Sequence, residues 1–135
     1  MCRVYPCLLR YSAEEIAMDG FGLVLGHLLG DYIFQNDWMA ANKTSRSFPC
    51  AVHCTAYTLA VWLCSFWWLP IWALAVIWLA HFPLDRWRLA KLWMERVSGQ
   101  TKFASAPGLA PWSVIVVDNT MHLTVLFLLG VFVQG

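Results

Sequence analysis

Four stretches of the chain are almost continuously apolar, and polar residues gather between them. They cover residues 16–36, 50–68, 71–86 and 112–133. Each is near the roughly 20 residues a helix needs to cross a hydrocarbon core of about 30 Å. Pro49 and Pro70 stand where helices can begin, since a first-turn proline forfeits no hydrogen bond. Leu69-Pro70 marks a tight turn between the second and third stretches. Residues 97–110, with Gly99, Pro107 and Gly108, read as a loop. The third stretch is expected to run on towards Arg96 as an interfacial helix. The pattern predicts an all-α polytopic membrane protein. Residues 1–135 form a single transmembrane domain, a four-transmembrane-helix bundle with a short interfacial helix after the third span. A soluble bundle would have to hide four apolar helices with almost no charged outer face, which argues against it.

Composition strengthens this picture. The chain is 60% hydrophobic and 13% charged, against about 25% charged in soluble domains. A net charge of +1 excludes the basic character that nucleic-acid binding needs. Nine tryptophans suit membrane interfaces, where the ring is buried and the N–H stays wet. The five cysteines, Cys2, Cys7, Cys50, Cys54 and Cys64, are irregularly spaced and make no disulfide framework. Residues 1–10 hold no long apolar run or small-residue cleavage site, so no removable signal peptide is expected.

Charge placement sets the expected orientation. The first and third loops share Lys43, Arg46, Arg86, Arg88, Lys91, Arg96 and Lys102, whereas the other side has only Arg3 and Arg10, beside Glu14 and Glu15. The positive-inside rule puts loops one and three in the cytoplasm and both termini outside. Trp67, Trp68 and Trp72 then mark the outer interface, and Trp38, Trp87, Trp93 and Trp112 the inner one. Gly22, Gly26 and Gly30 recur every fourth residue, a stripe that lets two backbones approach closely in lipid. It is read as a packing face, open to a second copy or a protein partner.

The candidate chemistry lies in the histidines. Each expected span has one, with a polar partner four residues away: His27 with Asp31, His53 with Tyr57, His81 with Asp85, and Asp118 with His122. Residues four apart share a helix face, and Gln35 extends the first pair. At about 1.5 Å per residue, and with the chain reversing at each loop, all four pairs fall in the cytoplasmic half of the bilayer. An ionised Asp in mid-span costs about 2.5–3.5 kcal/mol. Three of them with four imidazoles would cost on the order of 10 kcal/mol if unsatisfied. A bound metal offsets such a cost, since structural zinc binding contributes about 10–16 kcal/mol in favourable peptides; a mutual hydrogen-bonded seam fixing helix register is the rival. His and carboxylate suit Zn²⁺, Mn²⁺ or Fe²⁺, as one ion or two.

Smaller features leave alternatives open. Cys50, His53 and Cys54 could form a zinc site of their own, although cysteines near a helix start more often pack. Pro83, between His81 and Asp85, is expected to kink the third span and free a carbonyl. Arg86 and Lys43 fit either a phosphate or a snorkelling anchor.

The run His27-Leu28-Leu29-Gly30-Asp31-Tyr32, followed by Gln35, Met39-Ala40 and Lys43, resembles a family of small bacterial and phage membrane proteins, domain-of-unknown-function family 3307. His53 with Tyr57-Thr58, His81 with Asp85, and Asp118 with His122 fit its later blocks. Asn119 stands where the family pattern has Gln. The resemblance covers residues 21–128 and implies a bacterial inner-membrane location. Its pattern looks similar to membrane-bound metal-dependent hydrolases.

The expected function is a membrane-embedded, metal-dependent hydrolase of a phosphoester, such as a phospholipid, in the cytoplasmic leaflet. The expected ligands are His27, Asp31, His81, Asp85, Asp118 and His122. His53 is a seventh ligand or a general base, Gln35 and Tyr57 orient water or substrate, and Arg86 and Lys43 bind substrate. The alternatives are a conduit for protons or metal ions, and a non-catalytic interaction protein whose seam only specifies packing.

Overall fold

The computed structural model describes residues 13–66 and 68–134, with side chains from Asp19 onward. Trp67, Arg3, Arg10, Cys2, Cys7 and the side chains of Glu14 and Glu15 therefore lie outside the described residues. All regular structure in the described residues is helical. Helix α1 (Ala13–Leu28) runs directly into a π-turn (Leu29–Ile33), and α2 (Asp37–Asn42) follows. Then come α3 (Ser47–Cys64), α4 (Ile71–Arg86), α5 (Leu89–Arg96), α6 (Thr101–Ser105) and α7 (Ala110–Gln134).

The local chemistry explains most boundaries. Pro49 lies in the first turn of α3, and Pro70 is the extended residue from which α4 starts. Asn36 caps α2, its side chain accepting from the Met39 N–H at 2.9 Å. Phe66 at φ 49° and Arg88 at φ 50° take left-handed conformations that non-glycine residues rarely adopt. Phe66 turns the chain between α3 and α4, and Arg88 separates α4 from α5. Helix α5 is thus a separate element rather than a continuation of α4. Helix α4 continues unbroken through Pro83. Helices α2 and α6 were not legible in the apolar pattern, because both are short.

Helix α1 packs on α3 and α7, α3 on α4, and α4 on α7, while α5 and α6 lie against α7. The glycine stripe has a definite use here. A Cβ on Gly22 would lie 2.4 Å from the Cys64 carbonyl oxygen, and one on Gly26 would lie 2.5 Å from Val61 Cα. One on Gly30 would meet Tyr57 at 2.8 Å. The stripe is the seat of α3, so that face is not open to a second chain. Away from the histidines the core is apolar, with Leu23, Val61, Ala73, Ile77, Leu126 and Leu129.

Two helices, α3 and α7, are long and apolar enough to cross a membrane. Helices α1 and α4 have 16 residues each, about 24 Å at 1.5 Å per residue, short of the hydrocarbon thickness. The π-turn adds five residues to α1. The expectation of four full spans is therefore met by two helices of spanning length.

Candidate metal centre

The π-turn carries Asp31, and π-turns inside helices frequently sit at functional sites because they re-aim one side chain. Close packing of Gly30 on Tyr57 brings that turn against α3. Helix α3 supplies His53, and α4 supplies His81 and Asp85 from one face. All four side chains are buried.

Their ligand atoms converge. His53 Nε2 lies 3.1 Å from His81 Nε2, 3.2 Å from Asp31 Oδ1 and 3.0 Å from Asp85 Oδ2. His81 Nε2 lies 3.6 Å from Asp31 Oδ1 and 3.1 Å from Asp85 Oδ2. Donors bound at about 2.0–2.1 Å around a tetrahedral ion stand about 3.3 Å from one another. The observed separations bracket that value. Asp31 Oδ1 and Asp85 Oδ2 are nevertheless buried without a hydrogen bond of acceptable geometry. Carboxylate oxygens this close to two imidazoles, yet outside hydrogen-bond geometry, fit ligands facing a shared cation.

A second group overlaps the first. His81, Asp85 and His122 can also hold a metal ion, as can Asp31, His53 and His81. Nδ1 of His122 donates to the Asp118 carbonyl oxygen at 2.9 Å, which fixes the tautomer and leaves Nε2 bare, buried and unpartnered. That is the usual way a protein presents imidazole to a metal.

His27 and Asp118, both expected as ligands, occupy the surrounding layer and belong to neither group. His27 Nε2 faces Asn119 Oδ1 at 3.0 Å, and its Nδ1 faces the Tyr57 hydroxyl at 3.1 Å and Asp31 Oδ2 at 3.3 Å. With both nitrogens engaged, His27 packs beside the Asp31 oxygen opposite the cluster. Asn119 also donates to the Tyr32 hydroxyl, tying α7 to the π-turn. The sequence flagged Asn119 only as a departure from Gln, and nothing in its spacing announced this bridge. Tyr57 stacks on His81 with ring centroids 3.8 Å apart. It holds the ring rather than facing open space.

A cavity of about 250 Å³ opens beside the cluster, lined by Asp31, Asp85 and Asp118, by Gln35 and Asn119, and by Lys43, Arg88 and Lys91. Gln35 Oε1 is buried there without a partner. Lys43 Nζ reaches Asp85 Oδ2 at 2.9 Å and His53 Nε2 at 3.3 Å. Arg86 does not line this cavity: its guanidinium donates to the Thr44 carbonyl at 2.5 Å and the Ser45 carbonyl at 3.1 Å. Arg88 and Lys91 line it instead, and only the folding-back of α5 brings them there. The Cys50 and Cys54 sulfurs lie 3.9 Å apart, with Cys50 also facing the Phe82 carbonyl. His53 turns away from them, and neither cysteine joins a metal group.

The chain belongs to the family described as protein of unknown function DUF3307, whose family model matches residues 21–135. No curated protein and no solved structure matches it.

Proposed function

We propose that this chain is a membrane-embedded, metal-dependent hydrolase that acts on a phosphoester at the membrane surface. The observation that carries the reading is the 3.1 Å approach of His53 Nε2 and His81 Nε2 beside Asp31 Oδ1, which is buried without a hydrogen bond, and Asp85 Oδ2, which is paired with Lys43. Asp31, His53 and His81, with Asp85 from the overlapping group, would hold one divalent ion, and His122 adjoins them. The two candidate groups share His81, which favours one ion over two. The mixed imidazole and carboxylate set suits Zn²⁺, Mn²⁺ or Fe²⁺. Bound there, such an ion supplies Lewis acidity for a phosphoryl oxygen and a more acidic water.

The chain's own groups do the rest. Asp118, on the cavity wall and outside the ligand set, accepts the proton of the attacking water and returns it to the ester oxygen that leaves as an alcohol when the P–O bond breaks. Gln35 orients that water through its unpartnered oxygen. Lys43, Arg88 and Lys91 hold the anionic ester, with Arg88 able to grip two oxygens at once. His53 is a ligand in this scheme and not a general base.

The membrane setting rests on the outer surface. Phe21, Ile71, Leu79, Phe127, Leu128 and Phe132 are each at least 60% exposed, an apolar load that soluble monomers rarely carry. In this reading α3 and α7 span the bilayer, and α1 with its π-turn and α4 accompany them as shorter spans. Loops one and three face the cytoplasm of a bacterial cell. The apolar core at the far end of the helices supports an enclosed site over an ion conduit.

The test is hydrolysis of phosphoesters by detergent-purified protein with added Zn²⁺ or Mn²⁺, alongside metal content by elemental mass spectrometry. About one equivalent of metal is expected, lost in the Asp31→Ala/His81→Ala variant together with activity. Activity untouched by Asp31→Ala would sink the assignment. A second reading is favoured by the Lys43 contact: a lysine that permanently neutralises the cluster would make the seam a packing device. Protein free of metal after purification and after metal addition would select it.

A further inference from the structure

Arg88 and Lys91 stand on the wall between two cavities. On one side lies the polar cavity of the metal centre. On the other lies a space of about 360 Å³ lined by Ala104, Ala110, Pro111, Val114 and Ile115, with Arg88 and Lys91 as its only polar residues. Arg88, Lys91, Val114 and Ile115 line both cavities.

The two cations are free to bind. The Arg88 guanidinium makes no hydrogen bond or ion pair among the described residues, whereas its backbone N–H donates to the Asp85 carbonyl at 3.3 Å, and its left-handed backbone at φ 50° is a conformation that surrounding structure must hold in place. Lys91 has an exposed contact with Glu95 at 3.6 Å, a type worth little. Around them the surface is one that inserts into a headgroup layer. Trp93, Phe103 and Trp112 are exposed on α5, α6 and the start of α7, with Trp87 and Leu109 exposed in the turns before α5 and α7.

We infer that Arg88 and Lys91 bind the phosphate of a membrane lipid whose alkyl chain enters the apolar groove between α5, α6 and α7, so that the ester bond is presented to the polar cavity. Two cations at the junction of a polar and an apolar compartment match an amphiphile with an anionic head, which fixes the substrate class as a lipid phosphoester. The inference rests on the proposed hydrolase for turnover, but lipid binding stands independently of it.

The experiment is native mass spectrometry of metal-free protein in detergent with dioleoyl phosphatidic acid, with diacylglycerol, or with inorganic phosphate. Phosphatidic acid adducts should persist where diacylglycerol adducts do not, and inorganic phosphate should bind at least tenfold more weakly. Arg88→Gln/Lys91→Gln, a surface change that spares the core, should weaken phosphatidic acid at least tenfold. Ala110→Trp, which fills the groove, should weaken phosphatidic acid and leave inorganic phosphate unchanged. Equal retention of diacylglycerol, or unaltered binding in the Arg88/Lys91 variant, would overturn the inference. Phosphate binding as tight as phosphatidic acid would overturn it in favour of a water-soluble ester. Measured without metal, these results are separate from the hydrolase test. Turnover of a soluble phosphoester that survives Ala110→Trp, with no loss of lipid binding, would keep the enzyme and remove the groove.

Discussion

Lys43 Nζ lies 2.9 Å from Asp85 Oδ2. The same ammonium is 3.3 Å from His53 Nε2, so a tethered cation from the chain already stands among the atoms that a metal would need. An ammonium and a divalent ion compete for such a place. A metal bound there would displace Lys43 towards the cavity, where it would meet the proposed anionic ester.

Lys43→Met removes the competitor while keeping an unbranched side chain one atom shorter. The metal-free protein should lose stability, because Asp85 is buried and removal of one partner of a buried pair typically costs about 3–5 kcal/mol. Metal affinity should rise, by about tenfold. Isothermal titration with Zn²⁺ on wild type and variant measures this, and unchanged or weaker affinity would place Lys43 outside the metal's path.

Metal loading should itself stabilise the wild-type protein. A ligand that binds only the folded state at about 100 times its Kd adds about 2.7 kcal/mol. The melting temperature in detergent should therefore rise with added Zn²⁺ or Mn²⁺ and fall back with a chelator. A melting curve indifferent to both would argue for the packing seam.

His27 and the ligands should separate cleanly. Removing a residue that only orients a ligand typically costs about 10–100-fold in metal affinity. His27→Phe and Asn119→Ala are expected to fall in that range, whereas His53→Ala and His81→Ala should abolish stoichiometric binding. Titrations on the four variants give the ranking, and abolished binding in His27→Phe would restore His27 to the ligand set.

The i, i+4 polar pairs made most of this centre legible before any coordinates, because helical periodicity alone brings His81 and Asp85 to one face. Bringing the four pairs to one end of the helices needed only loop reversals and the rise per residue. What periodicity could not rank was inner against outer. His27 and His53 look alike in sequence, yet the π-turn rotates Asp31 so that its Oδ1 faces His53 and its Oδ2 faces His27. Nothing in Leu29–Ile33 announces a π-turn. The helix boundaries at Pro49 and Pro70 were readable from proline chemistry. The break at Arg88 was not, since a left-handed arginine has no sequence signature.

Arg86 illustrates the same limit and yields a fourth prediction. Its charge and its position after Asp85 suggested substrate binding, but its guanidinium clamps the Thr44 and Ser45 carbonyls at the entry to α3. Arg86→Ala should cost about 1–2 kcal/mol in unfolding while leaving metal stoichiometry intact. A rise in KM without loss of stability would return Arg86 to the substrate.

The glycines of α1 give the sharpest packing test. A Cβ at Gly26 would lie 2.5 Å from Val61 Cα, and the obstacle is backbone, which cannot rotate away as a side chain can. Helices α1 and α3 must then move apart, and the displacement passes along α1 to the π-turn and Asp31. Overpacking of this kind typically costs about 1–3 kcal/mol, so Gly26→Ala should lower both the unfolding free energy and the metal affinity. Gly20 is the internal control. Nothing lies within 4 Å of a Cβ placed there, and exchanging glycine for alanine inside a helix gains up to about 1 kcal/mol. Gly20→Ala should therefore be neutral or stabilising, with metal binding unchanged. Denaturant unfolding in detergent, followed by metal titration of each variant, separates the two. Equal behaviour of the variants would mean that the α1–α3 contact does not set the geometry of the metal centre.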